Sequence, residues 1–150
     1  MLTARKASPI IARVLLGLLF VVFGLNGFLH FIPLPPLPDK AGNLLGAFAA
    51  AGYMFPLIKG TEVLAGLALL SGRFVPLALT VLAPVVVNIA AFHLFLTPGD
   101  VGLALLLVAL EAYLAYAYRG SFRAVLAAGA KPAPVAEEAP RGHALAAGVR

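Results

Sequence analysis

A chain of 150 residues that is 62% hydrophobic and 11% charged, with a mean hydropathy of +1.01, carries more apolar surface than a soluble fold of this size can hide; soluble domains run at about 45–50% apolar and about 25% charged. The class is therefore integral membrane protein, and the net charge of +5 does not point to nucleic acid, because Lys and Arg flank apolar runs instead of forming a patch interleaved with aromatics. The absence of cysteine excludes a disulfide framework, a CxxC redox pair and cysteine-held iron–sulfur or zinc centres.

In chain order, the first apolar run is "PIIARVLLGLLFVVFGLNGFLHFI", about residues 9–32. Arg5 and Lys6 precede it, yet the run is too long for the apolar core of a signal peptide and no A-x-A site ends it, so it reads as an uncleaved span. The connection "PLPPLPDKAGNLLGAFAAAG" opens on prolines that cannot continue a helix. Its second half, Ala41–Ala51, permits a helix but is too short to cross a bilayer, and it reads as a short interfacial helix between the first and second spans. The second span is "YMFPLIKGTEVLAGLALLSG" (53–72), the third "FVPLALTVLAPVVVNIAAFHLFL" (74–96) and the fourth "VGLALLLVALEAYLAYAY" (101–118). Each comes close to the ~20 residues that a helix needs to cross ~30 Å of hydrocarbon. Strict alternation, the mark of a membrane strand, is missing. The expected fold class is all-α: an integral membrane bundle of four transmembrane helices over residues 1–123, with a disordered Ala/Pro-rich cytoplasmic tail over 124–150. The tight turns "SGRF" and "TPGD" make the second, third and fourth spans antiparallel neighbours.

Lys and Arg set the orientation. Arg5, Lys6, Arg13, Arg73, Arg119, Arg123, Lys131, Arg141 and Arg150 fall on the side of the termini, and only Lys40 and Lys59 on the other. Both termini are thereby expected in the cytoplasm.

The polar residues inside the spans then gather at one depth. Glu62 lies ~10 Å inside the outer boundary and Glu111 ~15 Å, at 1.5 Å per residue. Lys59, Asn26, His30, Asn88 and His93 share the outer half with Glu62. Lys59 and Glu62, three apart, can pair on one helix face, and Asn26 and His30, four apart, share another. His93 is turned about 140° from Asn88. A lone charge at a helix centre costs roughly 2.5–3.5 kcal/mol. The expectation is a polar nest in which Lys59, Glu62, Asn26 and Asn88 converge, with Glu111 beneath it. Two readings stay open for each member. The Lys59–Glu62 pair is packing glue or a ligand or proton site. Glu111 is a carboxyl hydrogen-bonded to a neighbour or a proton-transfer group. His30 and His93 are interfacial or ligand-binding, and Asn26 and Asn88 are interhelical hydrogen-bond residues or ligand contacts. Gly17, Gly24, Gly27 and Gly66 suit close helix approach, and Pro84 suits a kink beside Asn88. No ligand spacing argues for a metal among His30, His93, Glu62 and Glu111. Walker, Rossmann, zincin and nucleophile-elbow patterns are absent.

The series "FVVFGLNGFLHFIP", "KGTEVLAGLALLSGRFVPLAL" and "LAPVVVNIAAFHLFL" resembles the DoxX family of small bacterial membrane proteins over roughly residues 10–123. The motif positions are Asn26, Gly27, His30, Lys59, Glu62, Gly66, Gly72, Asn88 and His93. The resemblance, which extends to DoxD- and MauE-like relatives, implies a four-helix bundle in the bacterial inner membrane. It also implies a membrane subunit of a redox or oxidative-stress system without independent catalytic activity, working beside a redox partner protein. A quinone is the cofactor that such a setting and the nest would share, held non-covalently, with Lys59, Asn26, Asn88 and His30 as donors and Glu62 or Glu111 handling protons. Without cysteine, a thiol relay does not fit. The alternatives are a small-molecule carrier or binding protein using the same nest, for which four short spans call for a homo-oligomer, and a purely structural membrane anchor.

Overall fold

The computed structural model describes residues 4–33 and 35–129. Every regular element among them is helical: α1 (Ala4–Leu29), α2 (Asp39–Ala50), α3 (Met54–Ser71), α4 (Val75–Phe95), a 3-10 turn (Pro98–Asp100), α5 (Gly102–Ala117) and α6 (Arg119–Phe122). The expected tail lies, from residue 130 on, outside the described residues. Three helical segments are long and apolar enough to cross a membrane: Ala7–Leu29, Met54–Ser71 and Val75–Phe95. At 1.5 Å per residue they measure about 27–35 Å. The apolar helix α5 is shorter, at 16 residues.

Helices α1, α3, α4 and α5 close a ring in which α1 packs on α3, α3 on α4, α4 on α5, and α5 back on α1. Leu16 and Phe20 of α1, Leu69 of α3, Leu79, Leu82 and Val86 of α4, and Leu107 and Leu114 of α5 fill its centre. Large apolar side chains on the outer faces stay exposed, among them Ile11, Leu64, Leu77, Val87, Phe95 and Leu105. This belt on every helix is far larger than the apolar patches that water-soluble monomers carry, and it suits contact with lipid.

The tightest contact in the ring is between α1 and α3. A Cβ on Gly66 would stand 2.9 Å from the Gly17 carbonyl oxygen, and one on Gly17 would stand 3.0 Å from the Gly66 carbonyl oxygen. Backbone touches backbone here, the packing that small residues permit between apolar helices. Sharp ends hold the register. Helix α3 stops at Gly72 (φ 72°), whose left-handed geometry suits glycine. Two residues later Phe74 takes φ 55° to start α4, while the Arg73 amide donates to the Ser71 hydroxyl at 3.1 Å. At the same end of the bundle, Ser8 of α1 and Tyr113 of α5 share a hydrogen bond of 2.7 Å.

Helix α1 ends at Leu29, short of the expected residue 32, because His30 leaves the helix at φ 53°. Helix α2, too short to span, contacts α3, with Phe48 edge-on to Phe55 at 6.4 Å between ring centroids. Replacing Gly66 by Val should overpack the seam and cost about 1–3 kcal/mol, read as a lower midpoint of thermal unfolding in detergent. Gly60→Ala, at a position with open space around it, should leave that midpoint unchanged or raise it slightly.

Candidate functional site

Lys59 and Glu62 lie one turn apart near the start of α3, and their side chains meet. The Lys59 ammonium donates to both carboxylate oxygens of Glu62, at 3.1 Å (Oε1) and 2.8 Å (Oε2). Glu62 is buried at 2% exposure, whereas the Lys59 side chain keeps 23%. Helix α1 forces this arrangement. A Cβ at Gly24 would press on Glu62 Cβ at 3.2 Å, and one at Gly27 would occupy the path of the Lys59 stem. The aliphatic part of Lys59 thus runs across a glycine on the neighbouring helix, and its charged tip is turned to Glu62.

Three cavities meet at Lys59. One, of about 370 Å³, lies between α2, α3 and α4; Lys59, Glu62, Asn88 and His93 line it together with Leu44, Phe48, Phe55, Pro84 and Phe92. A second, of about 710 Å³, lies on the other flank of α2, where Asn26, Gly27, His30, Phe55 and Lys59 line it. The third is interior and smaller, about 170 Å³, and is lined by Phe20, Phe23, Leu107, Lys59, Glu62 and His93. Lys59 borders all three. An ammonium has three N–H donors, and the two oxygens of the Glu62 carboxylate share the side of it that faces them, so donors remain for a further acceptor.

The other candidate residues divide around this point. His93 borders both cavities that Glu62 borders, and its Nδ1 is hydrogen-bonded to the Thr97 hydroxyl at 3.0 Å, which fixes the ring. Asn88 is exposed and lines the outer cleft beside Lys59 and Glu62, but not the interior cavity. Asn26 is buried, but it does not join the ion pair. Its Oδ1 accepts from the Ile32 amide at 2.6 Å and its Nδ2 donates to the Ile32 carbonyl at 3.2 Å. Asn26 is thus the clamp of the α1 C-terminus, and the left-handed turn at His30 brings Ile32 within its reach. That turn also removes His30 from the helix face it was expected to share with Asn26, leaving it exposed at the rim of the second cavity. Pro84 lines the outer cleft, and α4 continues through it. Glu111 is buried one turn beyond Leu107 on α5, in a groove between α4 and α5 that shares no lining residue with the three cavities. Among the described residues, no group of three or more His, Cys, Asp or Glu side chains could hold a metal.

Taken together, the arrangement offers a hydrogen-bond donor, a shielded carboxylate and an imidazole at the inner end of a mostly apolar cleft. Such a site suits an amphipathic molecule with an acceptor at one end. Compared with protein-family models, curated proteins and solved structures, the chain matches none.

The pair can be weighed by a double-mutant cycle. Glu62→Ala should cost about 2–3 kcal/mol, at or below the lower end for a broken buried pair because Lys59 can move toward the rim. Glu62→Gln should cost less, since an amide oxygen still accepts from Lys59. Combined with Lys59→Met, the loss should fall about 1–2 kcal/mol short of the sum of the single losses. Additive losses in thermal or denaturant unfolding would mean that the two charges do not act as a unit.

Proposed function

We propose that the protein is a four-span membrane protein of the DoxX type, in which the cleft beneath α2 binds the headgroup of a quinone for a partner redox protein. The observation that carries this reading is the Lys59 ammonium, held by Glu62 at the meeting point of three cavities.

Membrane placement supports it. Three helices already suit a bilayer, and α5 packs between α1 and α4 as the fourth wall. Its 16 residues span about 24 Å, and Val101 and Tyr118 extend it at either end. Helix α2 then lies at the interface over the cleft. The Lys and Arg bias favours cytoplasmic termini in a bacterial inner membrane, with the cleft toward the outer surface.

The chemistry fits a neutral acceptor better than a free anion. Glu62 neutralises Lys59, so an anion would meet a carboxylate at the same point, whereas a quinone carbonyl needs only an N–H donor that Glu62 leaves free. The apolar lining from Leu44, Phe48, Phe55 and Phe92 would take the ring and the start of an isoprenoid tail. His93 and Asn88 are placed to contact the ring substituents. Two electrons and two protons convert a quinone to its quinol. The electrons would come from the partner protein, and this chain would bind and orient the ring.

Purified protein in lipid nanodiscs should bind a short-chain ubiquinone analogue saturably. Lys59→Met should weaken binding by about tenfold or more, the equivalent of about 1.4 kcal/mol for a lost charge-assisted hydrogen bond. His93→Ala should weaken it less. Non-saturable partitioning that is identical in wild type and Lys59→Met would sink the quinone reading.

A further inference from the structure

The groove between α4 and α5 is built differently from the cleft beneath α2. Its floor is formed by Leu79, Val86 and Glu111, all buried, and its rim by exposed residues including Thr80, Val87 and Val108 on the flank of the bundle. It encloses about 400 Å³. Glu111 is only 8% exposed, and its Oε2 is fully buried without a hydrogen-bond partner among the described residues. No other residue lining the groove is titratable. On the α4 side, the Thr80 hydroxyl donates to the Pro76 carbonyl at 2.9 Å. On the α6 side the groove meets Phe122. Arg13 of α1 has its guanidinium against Gly72 at the end of α3, and Tyr113 of α5 is bonded to Ser8 of α1.

We propose that this groove is a second ligand site, for a lipophilic monocation such as the ammonium form of a hydrophobic amine, with Glu111 as its counter-ion. The inference rests on the membrane placement of α4 and α5 and is independent of a quinone at Lys59.

The occupant follows from what the groove can solvate. A bare, unpaired carboxylate among Leu, Val and Ala side chains is costly, so the group carries either a proton or a cation. A metal ion is a poor fit, since hard cations need six or more oxygen ligands and the groove has one carboxyl and a hydroxyl already engaged. An anion would meet repulsion and no donor. A hydrated small cation would find no groups to replace its water. A lipophilic cation brings its own apolar envelope, which the Val and Ala walls match, and delivers one diffuse positive charge beside the Glu111 carboxyl. The exchange balances: one cation enters through the flank, one proton leaves the carboxyl for water, and no electron moves.

The test uses the full chain in nanodiscs and tetraphenylphosphonium as the probe. Wild type should bind it saturably, near one per chain, and release one proton per cation bound in weakly buffered solution. Competition with that proton should raise affinity by up to about tenfold per pH unit as the pH rises. Glu111→Gln should lose at least about tenfold in affinity. In parallel, dicyclohexylcarbodiimide, which adds to lipid-accessible protonated carboxyls, should label Glu111 in wild-type membranes, as read by peptide mass. The phosphonium should slow that labelling, so the site is decided even if Glu111→Gln fails to fold. No saturable binding, binding without proton release, binding that survives in folded Glu111→Gln, or labelling that the cation does not slow would each overturn the proposal. Quinone binding is measured on the same preparation. Wild type that takes the cation and no quinone defeats only the earlier reading; wild type that takes the quinone and no cation defeats only this one.

Discussion

The buried ion pair of this bundle depends on how closely α1 and α3 approach. At Gly17 and Gly66 the two backbones touch, which brings α1 against the Lys59–Glu62 turn of α3 further along the same seam. With larger residues there, the helices would stand apart, and water or lipid would reach Glu62. Instead Glu62 is covered by Gly24 and the Lys59 stem crosses Gly27. The ion pair is thus a product of apolar packing. Small residues set the helix distance, that distance buries the carboxylate, and burial makes its lysine partner necessary.

Polarity is divided along the bundle axis. The end near Ser8 and Gly72 and the middle are filled by Leu16, Leu69, Leu79, Leu82 and Leu114. The opposite end holds the ion pair, His93 and the cavities under α2. A close-packed half gives a fixed frame, and the loosely filled half leaves cavities around the ion pair. Glu111 stands outside this division. It belongs to the buried stripe of α5, with Ala104, Leu107 and Leu114, yet one of its oxygens has no partner among the described residues.

Much of this was legible in the sequence because it depends on short spacings. Apolar run lengths mark the helices, "SGRF" marks the reversal at Gly72, and the i,i+3 spacing marks the Lys59–Glu62 contact. What was not legible depends on where a helix stops and which neighbour a face meets. A helical wheel carries Asn26 and His30 onto one face, but the wheel ends at Leu29, and the left-handed His30 redirects Asn26 to its own chain at Ile32. Likewise the 140° between Asn88 and His93 was visible, but not which of them reaches the interior cavity. The depth of Glu111 was readable as well; its separation from the nest needed the ring order, in which α5 meets α4 and α1.

Helix α2 stands between two mouths, one on its α4 side and one on its α1 side, and both lead to Lys59. The carboxylate of Glu62 occupies one side of that ammonium. Two routes therefore end at one cation, the seat that the proposed headgroup would take. A headgroup held there from one mouth would draw on the same charge as one held from the other, so two different molecules would weaken each other's binding even if they never share a path. Blocking one mouth would slow arrival without changing the affinity at the seat.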